Sequence, residues 1–394
     1  MKLRAIIFLT LIISCSNSNG QAYDWIQKND LPSIRYSTSF FSINNFGYAG
    51  LGYNGSALRD WYQYDPIANS WLQKANLPAI ARWSCPCFSI NGIGYVFCGT
   101  IGGYVTEVYS YNPTTNTWTN LGFFPGHPRQ DAATFVIDGK GYVCCGYASS
   151  YLNDLWQYDP IGNSWTQKQD FPGLPRTGPA GFAIDSMGYV GIGYSYGVNY
   201  NDFYSYNPVL NNWTQISNFP GAPRNSASSF SIMDKGYCGV GYDVTNYFTD
   251  FYEYSPFGNY WTQINDFGGK ARSYVFSFVL NNRGYVGSGK NDLYQYTKDV
   301  YELNVPLIGI EENLNGNNPL IIYDKNSTYL NLINLKNDII ELEIYNSNGQ
   351  LLKTKKINFS IRIDLKEYFE LKTGVYAVKI IHPTTSFGQK FIVE

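Results

Sequence analysis

Apolar and polar positions alternate with period two in short runs along most of the chain, and Gly, Asn, Asp and Pro stand between the runs. Successive side chains of a strand point to opposite faces, so such runs predict half-buried β-strands, and no segment shows the period of a long amphipathic helix. The runs come in groups of four, here called strands a, b, c and d outward from a common axis. In the second group, a covers about Ser84 to Ile90 with a turn at Asn91-Gly92, b covers Tyr95 to Cys98, c covers Val108 to Tyr111, and d centres on Trp118. Pro113 follows c; lacking an N–H, it cannot extend a ladder and marks the c-to-d turn.

The groups repeat in register. Trp25, Trp71, Trp118, Trp165, Trp213 and Trp261 are separated by 46, 47, 47, 48 and 48 residues, a period that predicts β-propeller blades. Arg35, Arg82, Arg129, Arg176, Arg224 and Arg272 are each followed six residues later by Phe and twelve residues later by Gly-Tyr. Trp25 is a lone d strand, while the last group reaches Tyr294-Gln295-Tyr296 without a following tryptophan. If the N-terminal strand completes the last group, six full blades form and no large edge stays open.

Composition agrees with an all-β chain rich in turns: aromatics make up 18% and charged residues 15%, with 38 glycines in 394 residues. The formal net charge is −2 and no basic run occurs, which argues against nucleic acid as a partner. The units, such as Gly188-Tyr-Val-Gly-Ile-Gly-Tyr194, Asp202-Phe-Tyr-Ser-Tyr-Asn-Pro208 and Trp213-Thr-Gln215, resemble kelch repeats of the secreted bacterial kind over roughly residues 23 to 300. The resemblance implies a six-bladed propeller, here assigned to residues 21–303.

Two flanking segments bear on location. Residues 1–20 carry Lys2 and Arg4, an apolar core from Ala5 to Ile13 and a small polar end before Gln21, which reads as a signal peptide too short to span a membrane. Ile12-Ile13-Ser14-Cys15 also resembles a lipobox, in which Cys15 would be lipidated; an outer-membrane lipoprotein is the alternative to cleavage after Gly20. Beyond a linker at 304–318, residues 319–394 predict a small antiparallel β-sandwich with strands at Tyr329 to Ile333, Ile339 to Tyr345 and Leu351 to Ile357 and a turn at Asn346 to Gly349. This tail resembles the C-terminal sorting domain of type IX secretion cargo in the Bacteroidetes, through Ile344-Tyr-Asn-Ser-Asn-Gly-Gln350, Thr373-Gly-Val-Tyr-Ala-Val-Lys379 and Lys390-Phe-Ile-Val393. It implies handling by the type IX machinery and a secreted or surface location.

After the signal six cysteines remain. Cys98, Cys144, Cys145 and Cys238 fall on b strands where other blades place small apolar residues, which predicts packing roles; a disulfide of Cys98 with Cys85 or Cys87 across the a/b hairpin is the one pairing open to sequence reasoning. Only His127 and His382 occur, so no two-histidine metal site can form within the propeller, and His127 reads as a surface loop residue. No nucleophile elbow, phosphate loop or calcium loop is present. Neither a metal nor a cofactor is expected.

Just before strand c stand Asp60, Glu107, Asp154, Asp202, Asp250 and Asp292, on the face where strand a also begins. Six arginines therefore share a face with six carboxylates. One reading is a bidentate Arg–carboxylate pair in every blade; the other is that some arginines reach the central funnel and hold an anionic ligand. The b-to-c loops of that face carry Tyr53, Tyr104, Tyr151, Tyr194, Tyr196 and Tyr247 among Ser, Gly and Asn, a composition suited to recognising proteins or stacking on sugars. The expected function is a secreted, non-enzymatic binding module for an extracellular protein or glycan. Alternatives are a carbohydrate-active enzyme, because six-bladed kelch propellers include sialic acid mutarotases, with Asp131 as the only acid at a channel-facing position, and a structural or adhesive surface protein.

Overall fold

In the computed structural model, residues 23–256 and 258–305 are described throughout, and in the C-terminal part the strands 320–323, 329–333, 340–346, 351–357, 361–364, 374–381 and 386–393. The signal segment with Cys15, most of the linker, the turn after Asn346 and His382 lie outside the described residues. The chain divides into two compact units, one up to Val305 and one after it. Every described regular element is a strand, and no helix there is long and apolar enough to cross a membrane.

The first unit is a propeller of six antiparallel blades, five of four strands and the sixth with a further two-residue strand at Arg272–Ser273. Blade 1 is Ser39–Ile43, Phe46–Gly50, Trp61–Asp65 and Ser70–Lys74; blade 2 is Cys87–Ile90, Ile93–Phe97, Glu107–Asn112 and Thr117–Phe123. The ring closes as the terminal strand predicts. Asp24–Lys28 pairs antiparallel with Tyr296–Asn304, Trp25 lying opposite Leu303, and becomes strand d of blade 6. Trp25 packs on Phe251 and Phe267 of blade 5 at 5.1 and 5.0 Å, and Lys28 meets Glu302 at 2.9 Å. Closure therefore combines a backbone ladder, aromatic burial and a partly buried ion pair.

The repeated residues are contacts between blades. A Cβ added to Gly94 would sit 2.0 Å from the Phe41 ring of the blade before, and one at Gly47 would sit 2.3 Å from Phe278 of blade 6. The Phe column thus needs the Gly column of the next blade, all the way around. Five of the six tryptophans, all but Trp25, pack on the Tyr of their own strand c, as Trp71 does on Tyr64 at 4.9 Å, and all but Trp165 donate the indole N–H to a carbonyl of the preceding connection, Trp118 to Ala75 at 2.8 Å. Asn116, left-handed at φ 53°, accepts from Tyr111 Oη and from the Ala75 N–H, tying the c-to-d turn to the neighbour.

In the second unit, two antiparallel sheets are formed. One joins Leu320–Tyr323, Tyr329–Ile333 and Ile361–Asp364; the other runs in the order Leu351–Ile357, Ile340–Asn346, Gly374–Ile381, Ser386–Val393. Leu342 and Ile344 are buried on one face of their strand, which matches the alternation in sequence.

Candidate functional site

All six arginines are buried, at 0–1% exposure, where the d-to-a connection meets the start of strand c. Arg35 bonds both Oδ atoms of Asp60 at 2.7 Å, and its Nη1 also donates to the Leu51 carbonyl that ends strand b. Arg129, Arg176 and Arg224 repeat this with Asp154, Asp202 and Asp250. Arg82 and Glu107 lie 2.8 Å apart as an ion pair, out of line for a hydrogen bond, because glutamate is one methylene longer. Aromatic rings flank the guanidinium planes: Arg224 sits between Phe219 and Phe248 at 4.9 and 4.0 Å. Burial alone would raise the Asp154 carboxyl, but Arg129 and the Trp156 indole hold it below the usual carboxylate range.

Arg272 departs from the expected pairing. Its carboxylate is Asp299 at 2.7 Å, not Asp292. Strand c of blade 6 begins at Tyr296, after a longer b-to-c hairpin, and Val300 pairs with Gly287 as Trp61 pairs with Gly50. Asp299 therefore holds the register position of Asp60. With every guanidinium engaged in this way, the arginines stand behind the channel wall and not in the funnel.

The disulfide expectation is also corrected: all six described cysteines are free thiols. Strand b ends at Cys98 with a left-handed residue, φ 55°, which turns its side chain into the cluster facing blade 3, with Phe88, Val108 and Tyr158. Cys85 and Cys87 belong to the opposite cluster, with Phe41 and Trp61 of blade 1, where the Cys87 thiol donates to the Phe40 carbonyl at 2.9 Å. The thiols face opposite sides of one blade. Burial pushes Cys87, Cys98 and Cys238 up to about 12, so they are poor nucleophiles.

Two residues beyond each arginine the chain reaches the axis. Ser37, Ser84, Asp131, Gly178, Ser226 and Tyr274 all take left-handed backbone, φ 49–61°, a conformation that costs little for glycine and more for the other five. Each donates its N–H to the carbonyl of the equivalent residue in the preceding blade at 2.8–3.2 Å, and Ser37 donates to Tyr274. Six hydrogen bonds thus close a ring around the channel.

The ring separates two cavities. The larger, about 350 Å³, runs between the a strands. Several of its hydroxyls are already used between blades: Ser89 donates to the Ser42 carbonyl at 2.6 Å, Thr134 to Cys87 at 2.7 Å and Ser277 to Ser229 at 3.2 Å. The smaller, about 280 Å³, is the mouth on the b-to-c loop face. Although it is smaller, its lining is the better suited to a ligand. Tyr36, Trp83, Tyr242, Tyr247, Tyr274 and Tyr294 wall it, with Gln130, Lys290 and the ring residues Ser37, Ser84 and Asp131.

Asp131 is the ring's only carboxylate. It lies deep in the molecule yet keeps part of its surface open to the channel, and burial pushes its carboxyl up to about 6 despite a hydrogen bond from Ser84. No cation of the described residues pairs with it. Tyr242 and Tyr274 meet through their hydroxyls at 3.0 Å, and Tyr36 packs on Tyr274 and Tyr53 at 5.7 and 5.8 Å.

Of the tyrosines expected at the site, Tyr247 lines the mouth, and Tyr53 supports Tyr36 and Trp83 from behind. Tyr104, Tyr151, Tyr194 and Tyr196 form an outer arc through Tyr147, with Tyr196 on Tyr151 at 4.8 Å and 76% exposed. Sequence reasoning missed Tyr36, Trp83, Gln130, Tyr242, Tyr274, Lys290 and Tyr294. Four of these stand one or two residues past an arginine, a count the repeat itself would have supplied. His127 is an exposed loop residue whose carbonyl accepts from Arg129 Nε.

A family model described as the KLHDC2/KLHL20/DRC7 Kelch-repeats domain matches residues 16–184 and 75–238, together more than half of the chain. A second, the Secretion system C-terminal sorting domain, matches residues 326–394. No curated protein matches the chain. Among solved structures, the one titled "Structure of YjhT" aligns with TM-score 0.62 and 19% identity, over 71% of this chain and 97% of that one, a likeness of fold. It overturns the expectation of a non-enzymatic chain, because the likeness is one of fold and a propeller fold hosts catalysis as well as binding. The repeats, the ring they close and the two family matches together make this chain a member of the kelch-repeat propellers, exported as type IX secretion cargo to the cell surface or beyond.

Proposed function

We propose that the exported propeller recognises an extracellular glycan in the mouth of its axial channel. The observation that carries this reading is the aromatic wall around the 280 Å³ cavity, broken by the polar groups of Gln130, Asp131, Ser84 and Lys290. A pyranose presents C–H faces that stack on tyrosine and tryptophan and hydroxyls that need directed partners, and this lining offers both. Probing a glycan array with the full-length exported protein tests it. Saturable binding that weakens in Tyr247→Ala supports the reading; silence on glycans with binding to extracellular proteins sinks it. Export by way of the signal segment favours Gln21 over a lipidated Cys15 as the mature N-terminus, which intact mass of the secreted protein decides.

Asp131 favours a second reading, a carbohydrate-active enzyme of the mutarotase kind. A carboxyl pushed up to about 6 is suited to taking and returning a proton near neutral pH. Following anomer exchange of each bound sugar by NMR separates the two: accelerated exchange lost in Asp131→Asn makes the propeller an enzyme.

A further inference from the structure

We propose that the glycan carries a protonated amine, and that the amine seats against Asp131 at the inner end of the mouth, within the rings of Tyr36, Trp83, Tyr242, Tyr247 and Tyr274. This inference rests on the glycan reading above.

The argument begins with an uncompensated charge. Five of the six ring positions are Ser, Ser, Gly, Ser and Tyr, so the fold does not need a carboxylate there, yet blade 3 places one. Every buried arginine has a carboxylate, whereas Asp131 has only the Ser84 hydroxyl and no cation among the described residues. A buried carboxylate without a cation is costly, and a ligand that brings one recovers the cost as affinity.

The surroundings select for positive charge. Tyr36, Tyr242 and Tyr274 sense the Asp131 charge, and burial holds all three phenols above their ordinary value, so they stay neutral and offer hydroxyls and ring faces. Aromatic faces attract ammonium groups through their quadrupole, most of all where water is excluded. Lys290, the one cation lining the cavity among the described residues, is held 4.8 Å over the Tyr294 ring. The six arginines that might have met an acidic sugar are already bound behind the wall. The inner mouth is therefore suited to an amino sugar and opposed to a carboxylated one.

Calorimetry on the full-length protein near neutral pH, with a β-1,4-glucosamine oligomer and its N-acetylated counterpart of equal length, tests this. The amino oligomer is expected to bind about tenfold tighter, the size of one charge-assisted contact. Asp131→Ser, which installs the residue three other blades already use, is expected to abolish the preference, bringing the two oligomers to equal affinity. Equal binding of both oligomers, or a preference that survives in Asp131→Ser, overturns the amine assignment and leaves the glycan reading standing. Binding of neither removes both. Competition by oligolysine where the amino oligomer fails would place the amine on a protein and overturn the assignment to a sugar.

Discussion

Two tiers of the propeller lie two residues apart and obey opposite rules. In the outer tier six arginines occupy six equivalent places, each buried, each paired with a carboxylate and most flanked by aromatic rings. In the inner tier the backbone is equally uniform, six left-handed residues in one hydrogen-bonded ring, but the side chains are Ser, Ser, Asp, Gly, Ser and Tyr. Where the side chain carries the blade, all six blades need the same one. Where the backbone carries the ring, the side chain is free to serve a ligand.

The largest effect that could break this comparison is in the outer tier. Arg176→Ala is expected to destabilise the propeller by about 3 kcal/mol, since it strands Asp202 and two carbonyl partners. A denaturation midpoint unchanged at constant slope would show that the arginine tier is not structural. Next comes the corrected pairing: Asp299→Asn is expected to cost about 1–3 kcal/mol and Asp292→Asn under about 0.5 kcal/mol. The reverse order would restore Asp292 as the partner of Arg272.

Asp131 sharpens the comparison from the inner side. Its folded carboxyl is pushed up to about 6 from 3.8, so the folded state holds the proton more tightly than the unfolded state does. Ionisation therefore works against folding: stability is lost as pH rises from about 4 to about 6, and the penalty is complete above that window. Because part of the residue faces the channel, the penalty is about 1–2 kcal/mol rather than the value for full burial. Asp131→Asn should match the parent in melting at the acid end and exceed it by that amount above pH 7. A variant no more stable at the higher pH would contradict a desolvated carboxylate.

The smallest effects concern the tyrosines. Tyr247→Ala should weaken ligand binding by about tenfold, roughly 1.4 kcal/mol, while Tyr196→Ala, at the exposed tip of the outer arc, should change it by less than about threefold. Both should melt within about a degree or two of the parent if the rings serve a ligand more than the fold. Equal losses of affinity would extend the site from the mouth to the outer arc.

Much of the architecture was legible before any coordinates. The Trp, Arg, Phe and Gly columns implied six blades, and the lone Trp25 strand implied the closure that pairs Trp25 with Leu303. The site was less legible. Loop tyrosines drew attention by composition, but a loop's composition does not say whether it bends inward; Tyr247 lines the cavity, whereas Tyr196 rests on Tyr151 and is exposed. The Asp292 assignment failed because Asp292-Leu-Tyr-Gln-Tyr296 resembles the Asp60-Trp-Tyr-Gln-Tyr64 of blade 1, although it lies only 20 residues past Arg272, whereas the other blades space arginine and acid by 25 or 26 and Asp299 stands at 27.

The sequence by itself determined the period, the number of blades and the chemistry repeated in each, because these follow from local alternation and from spacing along one chain. Only the tertiary structure decided which repeats touch: Phe41 is matched to Gly94 of the next blade, Cys98 turns away from Cys85, and residues more than 200 positions apart, Tyr36 and Tyr274, meet across the mouth. The physical reason is closure. A ring brings equivalent positions of all blades to one axis, so a carboxylate that is unremarked along the chain becomes the only charge in a ring of six.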